Sequence, residues 1–449
     1  MCEIAHRIKL EVSFMKKKTF KDIDVTSKRV FVRVDFNVPQ DETGKITDDT
    51  RIRAALPTIK YLVNQNAKVI LCSHLGRPKG VVNEKYSLAP ISERLSELLN
   101  VPVAMAKDVI GPSAKKLVAD MKDGEVVLLE NVRFHAEEEA NDAEFSRELA
   151  NLADVFVNDA FGTAHRAHAS TAGIAKFIPA VAGFLMDSEI MALSNAVNNA
   201  EKPLVVILGG AKVSDKINVI SALMTKATTL LIGGAMANTF LAAKGYNVGF
   251  SKYEADKVEV AKELMEKAEN LNVNLILPVD VLAGKEFAPK TKCKSFSVDK
   301  IDDGYQAMDI GKKTRKIFAK EIKNAKTIIW NGPMGVFEFK KFGKGTLSIA
   351  KAVAKSSAVS VVGGGDSAAA LQQLGYANKV THLSTGGGAT LEFLEGKNLP
   401  GVAMLEDKED EKKVKTPDFS SIDLRTINKT KKEKVESKPV VKSRNSTKK

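Results

Sequence analysis

Asp35 and Asn37 in RVDFN, His74 and Arg77 in SHLGRP, Arg133 in ENVRFH, Asn158 and Asp159 in VNDAFG, and Arg166 in GTAHRAH stand at the ends of short apolar runs or in the loops that follow them. Arg51 adds a guanidinium where a helical pattern starts. Arginine presents a planar fork of donors that matches phosphate and carboxylate oxygens in pairs. Four arginines and a histidine, with no lysine cluster, suit a small dianionic acid better than a nucleic-acid backbone. Taken singly, each arginine could equally make a surface ion pair. His165 and His168 have metal-ligand chemistry, but no cysteine or carboxylate spacing supports a metal centre around them.

The second half carries a different chemistry, based on glycine. LGGAKVSDK leaves an apolar run and enters a helical pattern, and Lys212 and Lys216, four apart, are expected on one helical face where both could address one phosphate chain. LLIGGAMANTF repeats the theme at Gly233 and Gly234 without a cation, so those glycines are expected to clear space for a flat ring. In VSVVGGGDSAAAL, Gly363, Gly364 and Gly365 precede a helix start at Asp366 and Ser367. Free N–H groups and the positive helix end make an anion site there, and Asp366 supplies a hard oxygen ligand for Mg²⁺. STGGGATLEF places Gly386, Gly387 and Gly388 at the head of another helix. The chain has no Walker A phrase and no protein-kinase HRD or DFG set. Gly363, Gly365 and Ala368 do fit G-x-G-x-x-A, which leaves a nicotinamide-dependent dehydrogenase as the alternative. The acidic partner expected about twenty positions later is missing, since Glu392 comes too late and inside a helical pattern.

These groups need elements to position them. Short β-branched runs alternate with helical patterns, the signature of parallel βαβ units. Strands are expected at 29–34, 68–73, 101–106, 125–130 and 155–158, then at 204–208, 229–232, 274–278, 294–298, 327–330 and 359–362. Helical patterns cover 51–64 and 87–99. Asp49 and Thr50 supply N-cap chemistry for the first of these, and Pro57 predicts a kink or an early 3₁₀ start. The helical pattern at 184–200 has no neighbouring strand of its own and reads as a connector between two lobes. The fold class is therefore α/β, two Rossmann-like lobes with parallel sheets joined by a connecting helix and hinge.

Composition narrows the class further. The 449 residues exceed one ordinary core. No run of eighteen apolar residues occurs, and the three cysteines, Cys2, Cys72 and Cys293, fit a reducing compartment, hence a cytoplasmic location. The net charge of +13 sits partly in a lysine-rich tail at 406–449 with few apolar residues, which reads as disordered. It could serve nucleic acid, but no RNA-binding signature accompanies it, so no specific nucleic-acid partner and no membrane partner is expected.

RVDFNVP, SHLGRPKG, ENVRFH, NDAFGTAHRAHAST, LGGAKVSDKI, IIWNGPMGVFE, GGGDSAAAL and STGGGATLEFLEGKNLPG occur here in one order. Together they resemble the phosphoglycerate kinase family, from about Lys16 to about Met404. The resemblance implies that Asp35, Asn37, Arg51, His74, Arg77, Arg133 and Arg166 bind 3-phosphoglycerate or 1,3-bisphosphoglycerate. It implies ADP or ATP with Mg²⁺ on the other lobe: Gly233 and Gly234 beside the base, Lys216 and Asn331 toward the phosphates, Glu338 at the ribose, and Gly364, Gly365, Asp366 and Ser367 at the phosphate end, with Asp366 on the metal. Arg51, Lys212, Gly365 and Gly387 would stabilise the transferring group, without a general base, after closure about a hinge. The domain plan is an extension at 1–15, an acid-substrate lobe at 16–185, the connecting helix at 186–202, a nucleotide lobe at 203–385, a segment returning toward the first lobe at 386–405, and a basic tail at 406–449. A monomer is expected. YQAMDIG departs from the family's WMGLDIG phrase and puts Ala307 beside the nucleotide. The tail is a second departure.

Overall fold

The computed structural model describes residues 16–408, so the extension at 1–15 and the tail from 409 onward lie outside the described residues. The first lobe is built on β1 (Arg29–Arg33), β2 (Lys68–Cys72), β3 (Val103–Met105), β4 (Val126–Leu128), β5 (Val155–Asn158) and β6 (Ala180–Ala182). They form one parallel sheet in the order β3-β4-β2-β1-β5-β6. Side chains alternate across it. Val30, Val32, Val69, Leu71, Val155 and Val157 enter one apolar layer, while Phe31, Ile70, Cys72, Val127 and Phe156 enter the other. Burial on both faces explains why these strands read as continuous apolar runs.

The second lobe repeats the plan with β7 (Leu204–Leu208), β8 (Thr229–Ile232), β9 (Asn274–Ile276), β10 (Asp280–Gly284), β11 (Cys293–Ser297), β12 (Gln306–Ile310), β13 (Thr327–Asn331), β14 (Val359–Gly363) and β15 (His382–Leu383). Six of these make a parallel sheet, β15-β14-β13-β7-β8-β9. The other three form a separate antiparallel sheet, β11-β10-β12. Two of its members, β10 and β12, escape a reading based on βαβ alternation, because antiparallel neighbours need no crossover helix.

Between the lobes runs the helix Phe184–Asn198. It follows β6 directly, so the connector does have a strand of its own before it, contrary to the sequence expectation. β6 is only three residues long and made of small residues, which gives it no strong strand signal. Met186, Glu189, Ile190, Leu193, Ala196 and Val197 form the buried face of the connector at helical spacing. That face belongs to one apolar layer shared by both lobes and continued by Phe393, Leu394, Leu399, Val402 and Leu405. Past the second sheet the chain returns: Gly401 N donates to Ala164 O at 2.8 Å, and Glu406 N to Ala180 O at 2.9 Å.

Two local expectations are corrected. The helix Thr50–Asn64 runs through Pro57 as α-helix, without the early 3₁₀ start, one of the two outcomes expected there. Its packing on buried Ile52, Ala55, Ile59 and Leu62 outweighs one missing N–H. Asp49 does not cap that helix with its side chain. The carboxylate instead accepts from Arg53 Nε at 2.8 Å and Arg94 Nη2 at 2.8 Å.

Candidate functional site

The arginine cluster of the first lobe gathers at the carboxyl edge of its sheet. Asp35 follows β1, and its Oδ2 accepts from Arg51 Nη1 at 2.6 Å. The pair is asymmetric: Asp35 is 10% exposed and Arg51 is 40% exposed, so the guanidinium keeps donors open to solvent. Asn37 Oδ1 accepts from Gly76 N at 2.9 Å, which ties the loop after β1 to the loop after β2. Arg133 is nearly buried, and its Nη1 donates to Gly76 O at 2.9 Å. Glu139 lies 3.1 Å from Arg133 Nε but off the N–H direction, so the two form an ion pair while that N–H stays unbonded. Arg77 is exposed on the same loop, and Arg166 is half-buried in the loop after β5. His74 is buried at the centre, where burial and then the charges of Arg33, Arg133, Arg51 and Arg166 hold its pKa well below the usual imidazole value. Arg51, Arg133, Arg166 and Asp35 are thus brought together around one buried ring, with Asn37 and Arg77 on or tied to the loop that follows it.

Arg33 also belongs to this centre, although it was passed over in the sequence. It is fully buried at the end of β1, and its Nε donates to Ser170 Oγ at 2.7 Å. Buried Glu138 accepts from Ser170 N at 2.8 Å and from Ser170 Oγ at 2.6 Å. The available signal was an arginine closing a strand whose three middle residues, Val30, Phe31 and Val32, are apolar. Asn158 and Asp159 serve the scaffold. Asn158 Nδ2 donates to Gly401 O at 3.2 Å, and Asp159 Oδ1 accepts from Leu185 N at 2.8 Å at the start of the connecting helix. Burial pushes the Asp159 carboxyl up to about 6.

In the second lobe the site is made largely of backbone. Gly210, Gly234, Gly332 and Gly364 all have positive φ. A β-carbon at Gly234 would lie 2.5 Å from Gly210 N, and one at Gly332 would strike the Gly209 backbone. Three loops at the carboxyl edge of the sheet therefore touch backbone to backbone, which only glycine allows. Gly233 makes room for Met334 and Gly234 for Gly210, although Gly234 also borders the cleft. That cleft is about 710 Å³ and is walled by Gly210, Gly234, Asn238, Pro278, Ala307, Met308, Pro333, Met334, Phe337, Glu338 and Asp366. Its apolar slot with polar rims suits a flat heterocycle. Glu338 is exposed at the rim. Most of the apolar lining was missed, because β10 and β12 carry part of it.

The helix Gly365–Gln373 opens toward the cleft. Gly364 is its N-cap at φ +93°, and a β-carbon there would lie 2.9 Å from Asn331 Nδ2. Ser367 is buried, and its Oγ accepts from Gly332 N at 2.6 Å, which braces the loop after β13. Asp366 is exposed on the cleft wall. Among the described residues no cage of three His, Cys, Asp or Glu side chains forms. A single exposed carboxylate beside a helix N-terminus able to take phosphate would fit Mg²⁺, which keeps waters and takes its other oxygens from phosphates.

The two lysines are not on one helical face. The helix begins at Ile217, so Lys216 is its N-cap and Lys212 lies in the preceding loop. Lys216 is buried, hydrogen-bonds Asn331 Oδ1, and is pushed down to about 8 by burial against the pull of Asp215 and Asp366. Lys212 is exposed. Gly387 has φ +52° at the N-cap of Gly388–Leu394, with open space around its α-carbon, while Gly386 packs against Phe161 and Thr390.

The lobes meet at this last segment. A β-carbon at Gly162 would lie 2.8 Å from Asp35 Oδ2 and 3.6 Å from Thr385 O, and one at Gly388 would lie 3.4 Å from His165 Nε2. Glu189, fully buried on the connecting helix, accepts from Thr385 N at 2.7 Å and bonds His382 Nε2 at 2.8 Å. No sequence signal marked Glu189, because an acid within a helical pattern is ordinarily solvated.

A family model described as phosphoglycerate kinase matches residues 20–397. A protein of that name from Clostridium tetani is 56% identical over 395 residues, covering 87% of this chain and 98% of its own length. One from Pelotomaculum thermopropionicum is 56% identical over 394 residues, covering 88% and 100%. The solved structure of phosphoglycerate kinase from Coxiella burnetii superposes with a TM-score of 0.80 at 44% identity, over 86% of this chain and 98% of that one.

Proposed function

This chain belongs to the phosphoglycerate kinase family, phosphotransferases with a carboxyl group as acceptor, and from that premise we propose how its two lobes divide the reaction. The family reaction is reversible phosphoryl transfer from 1,3-bisphosphoglycerate to ADP, giving 3-phosphoglycerate and ATP. In this reading Asp35, Asn37, Arg51, His74, Arg77, Arg133 and Arg166 hold the phosphorylated acid. The nucleotide base lies in the cleft beside Gly234, with Gly233 behind it and Glu338 at the ribose. Its phosphates reach Lys216, Asn331 and the Gly364–Ser367 turn. Mg²⁺ would be held by Asp366 and would neutralise charge on the phosphate oxygens.

The acceptor oxygen of ADP is already anionic and a carboxylate leaves readily, so no general base is needed. Catalysis then rests on alignment and on donors aimed at the developing charge. Arg51 and Lys212 are assigned to the equatorial oxygens of the transferring group, aided by backbone N–H groups at Gly365 and Gly387. The lobes close about a hinge formed by the connecting helix and the Thr385–Gly388 segment. Scattering with both substrates bound should show a smaller radius of gyration, and an unchanged radius would remove closure from the account. We read the enzyme as a monomer acting in the cytoplasm.

One observation carries the proposal: the arginine-rich edge of the first lobe adjoins the glycine segment of the second, through Asp35, Gly162 and Thr385. Formation of ATP from 1,3-bisphosphoglycerate and ADP, followed in a coupled assay, tests it. An inert enzyme would reject it.

A further inference from the structure

The first lobe decides where a proton sits. Arg33 Nη2 lies 3.3 Å from His74 Nδ1. A guanidinium can only donate, so Nδ1 must offer its lone pair and the ring proton must be on Nε2. Arg33 cannot easily turn away. Its Nε donates to Ser170 Oγ at 2.7 Å, its Nη1 donates to Val34 O, and Ser170 in turn donates both N–H and O–H to buried Glu138.

We propose that Glu138, acting through Ser170 and Arg33, is a positioning residue that fixes His74 as the Nε2–H tautomer, so that His74 meets the phosphorylated acid as a hydrogen-bond donor. This rests on the reading that the arginine cluster takes that acid. The rival for Nδ1 is Asp35, which would demand the opposite tautomer. Its Oδ1 is 3.9 Å away, too far for a hydrogen bond, and its Oδ2 is engaged by Arg51 at 2.6 Å. A doubly protonated ring would turn an N–H toward the Arg33 cation, and burial opposes that charge as well. Within the described residues no hydrogen bond engages Nε2, which leaves it for a ligand. Glu138 supplies the counter-charge that lets a fully buried guanidinium stay in place. A donor at this position discriminates: it attracts a carboxylate or hydroxyl oxygen and repels an ammonium group.

The test uses the full chain with ¹⁵N-labelled imidazoles, His74 being assigned by its loss in His74→Gln. In the free protein His74 should show an unprotonated Nδ1 and a protonated Nε2. Glu138→Gln and Ser170→Ala should each mix the tautomers. Each should also raise KM for 3-phosphoglycerate roughly tenfold, about the worth of one charge-assisted hydrogen bond, with KM for ATP unchanged. A protonated Nδ1 in the unsubstituted protein overturns the proposal. So does a KM change in Ser170→Ala with the tautomer intact, since that would be a merely structural effect. If Glu138→Gln does not fold, Ser170→Ala alone decides. Failure of the kinase assay would strike the functional reading, while the free-protein spectrum would still judge the tautomer.

Discussion

The two lobes share a parallel-sheet plan yet build their proposed anion sites from different material. The first uses side chains: Arg51, Arg133 and Arg166 around buried His74, braced by Arg33 and Glu138. The second uses backbone: Gly210, Gly234, Gly332 and Gly364 at positive φ, with helix starts facing the cleft. In the proposed reading, a small acid offers few oxygens, and planar guanidinium forks match them in pairs. A nucleotide brings a flexible phosphate chain, and a row of N–H groups with a helix dipole accepts it without demanding one geometry. The first solution requires buried charges to be balanced. The second requires loops to approach more closely than any side chain allows.

Removing charge from the first lobe should have the largest effect. Arg51→Ala is expected to lower kcat by about 10²–10³ with a much smaller change in KM, the cost of losing one donor at the transferring group. An unchanged kcat would leave Arg51 a mere partner of Asp35. The backbone site should respond differently, through strain. Gly364→Ala places a side chain at φ +93° against Asn331 Nδ2 and should cost about 1–3 kcal/mol of stability, with a raised KM for nucleotide and not for the acid. Denaturant unfolding and the two KM values check this, and a rise in the KM for the acid would blur the division between lobes.

Asp366→Ala should weaken Mg²⁺-dependent nucleotide binding by about tenfold, leaving metal-free nucleotide binding nearly as before. Titration calorimetry with and without Mg²⁺ separates these, and an unaltered Mg²⁺ dependence would move the ion elsewhere. The smallest effect concerns acid. His168 is pushed from 6.5 down to about 4 by burial and by Arg133, Arg33 and Arg166. Between those values the unfolded chain binds a proton that the folded chain refuses, so stability is full above 6.5 and is lost as pH falls toward 4. Asp159, pushed up to about 6, works in the opposite sense over its own window, because there the folded state holds the proton. His168→Gln should therefore reduce the drop in thermal midpoint between about pH 6.5 and pH 4.5 by a few degrees. An undiminished drop would mean that the cluster's charges do not govern acid stability.

The division between the lobes also explains what could be read in advance. Parallel strands buried in the sheets appear in a sequence as apolar runs, and ten of them were legible, together with the antiparallel β11. The three-residue β6, the two-residue β15 and the antiparallel β10 and β12 were not, since they lack length or a crossover. Clustered arginines and glycine triplets mark a site by residue type alone. Glu138, Ser170 and Glu189 act from buried positions where nothing in their own neighbourhood sets them apart.

Residue types and their order determined the chemistry offered: guanidinium forks in one half, glycine turns and helix starts in the other. Tertiary structure decided how those groups are held. It separated Lys216 from Lys212, putting the first under Asn331 and leaving the second in solvent. It gave Gly233 to Met334, and it set Arg33 against His74. The reason is physical: local spacing fixes which side chains are available, but protonation, packing and reach depend on neighbours brought from more than a hundred residues away, as Ser170 is to Arg33 and Asn331 is to Lys216.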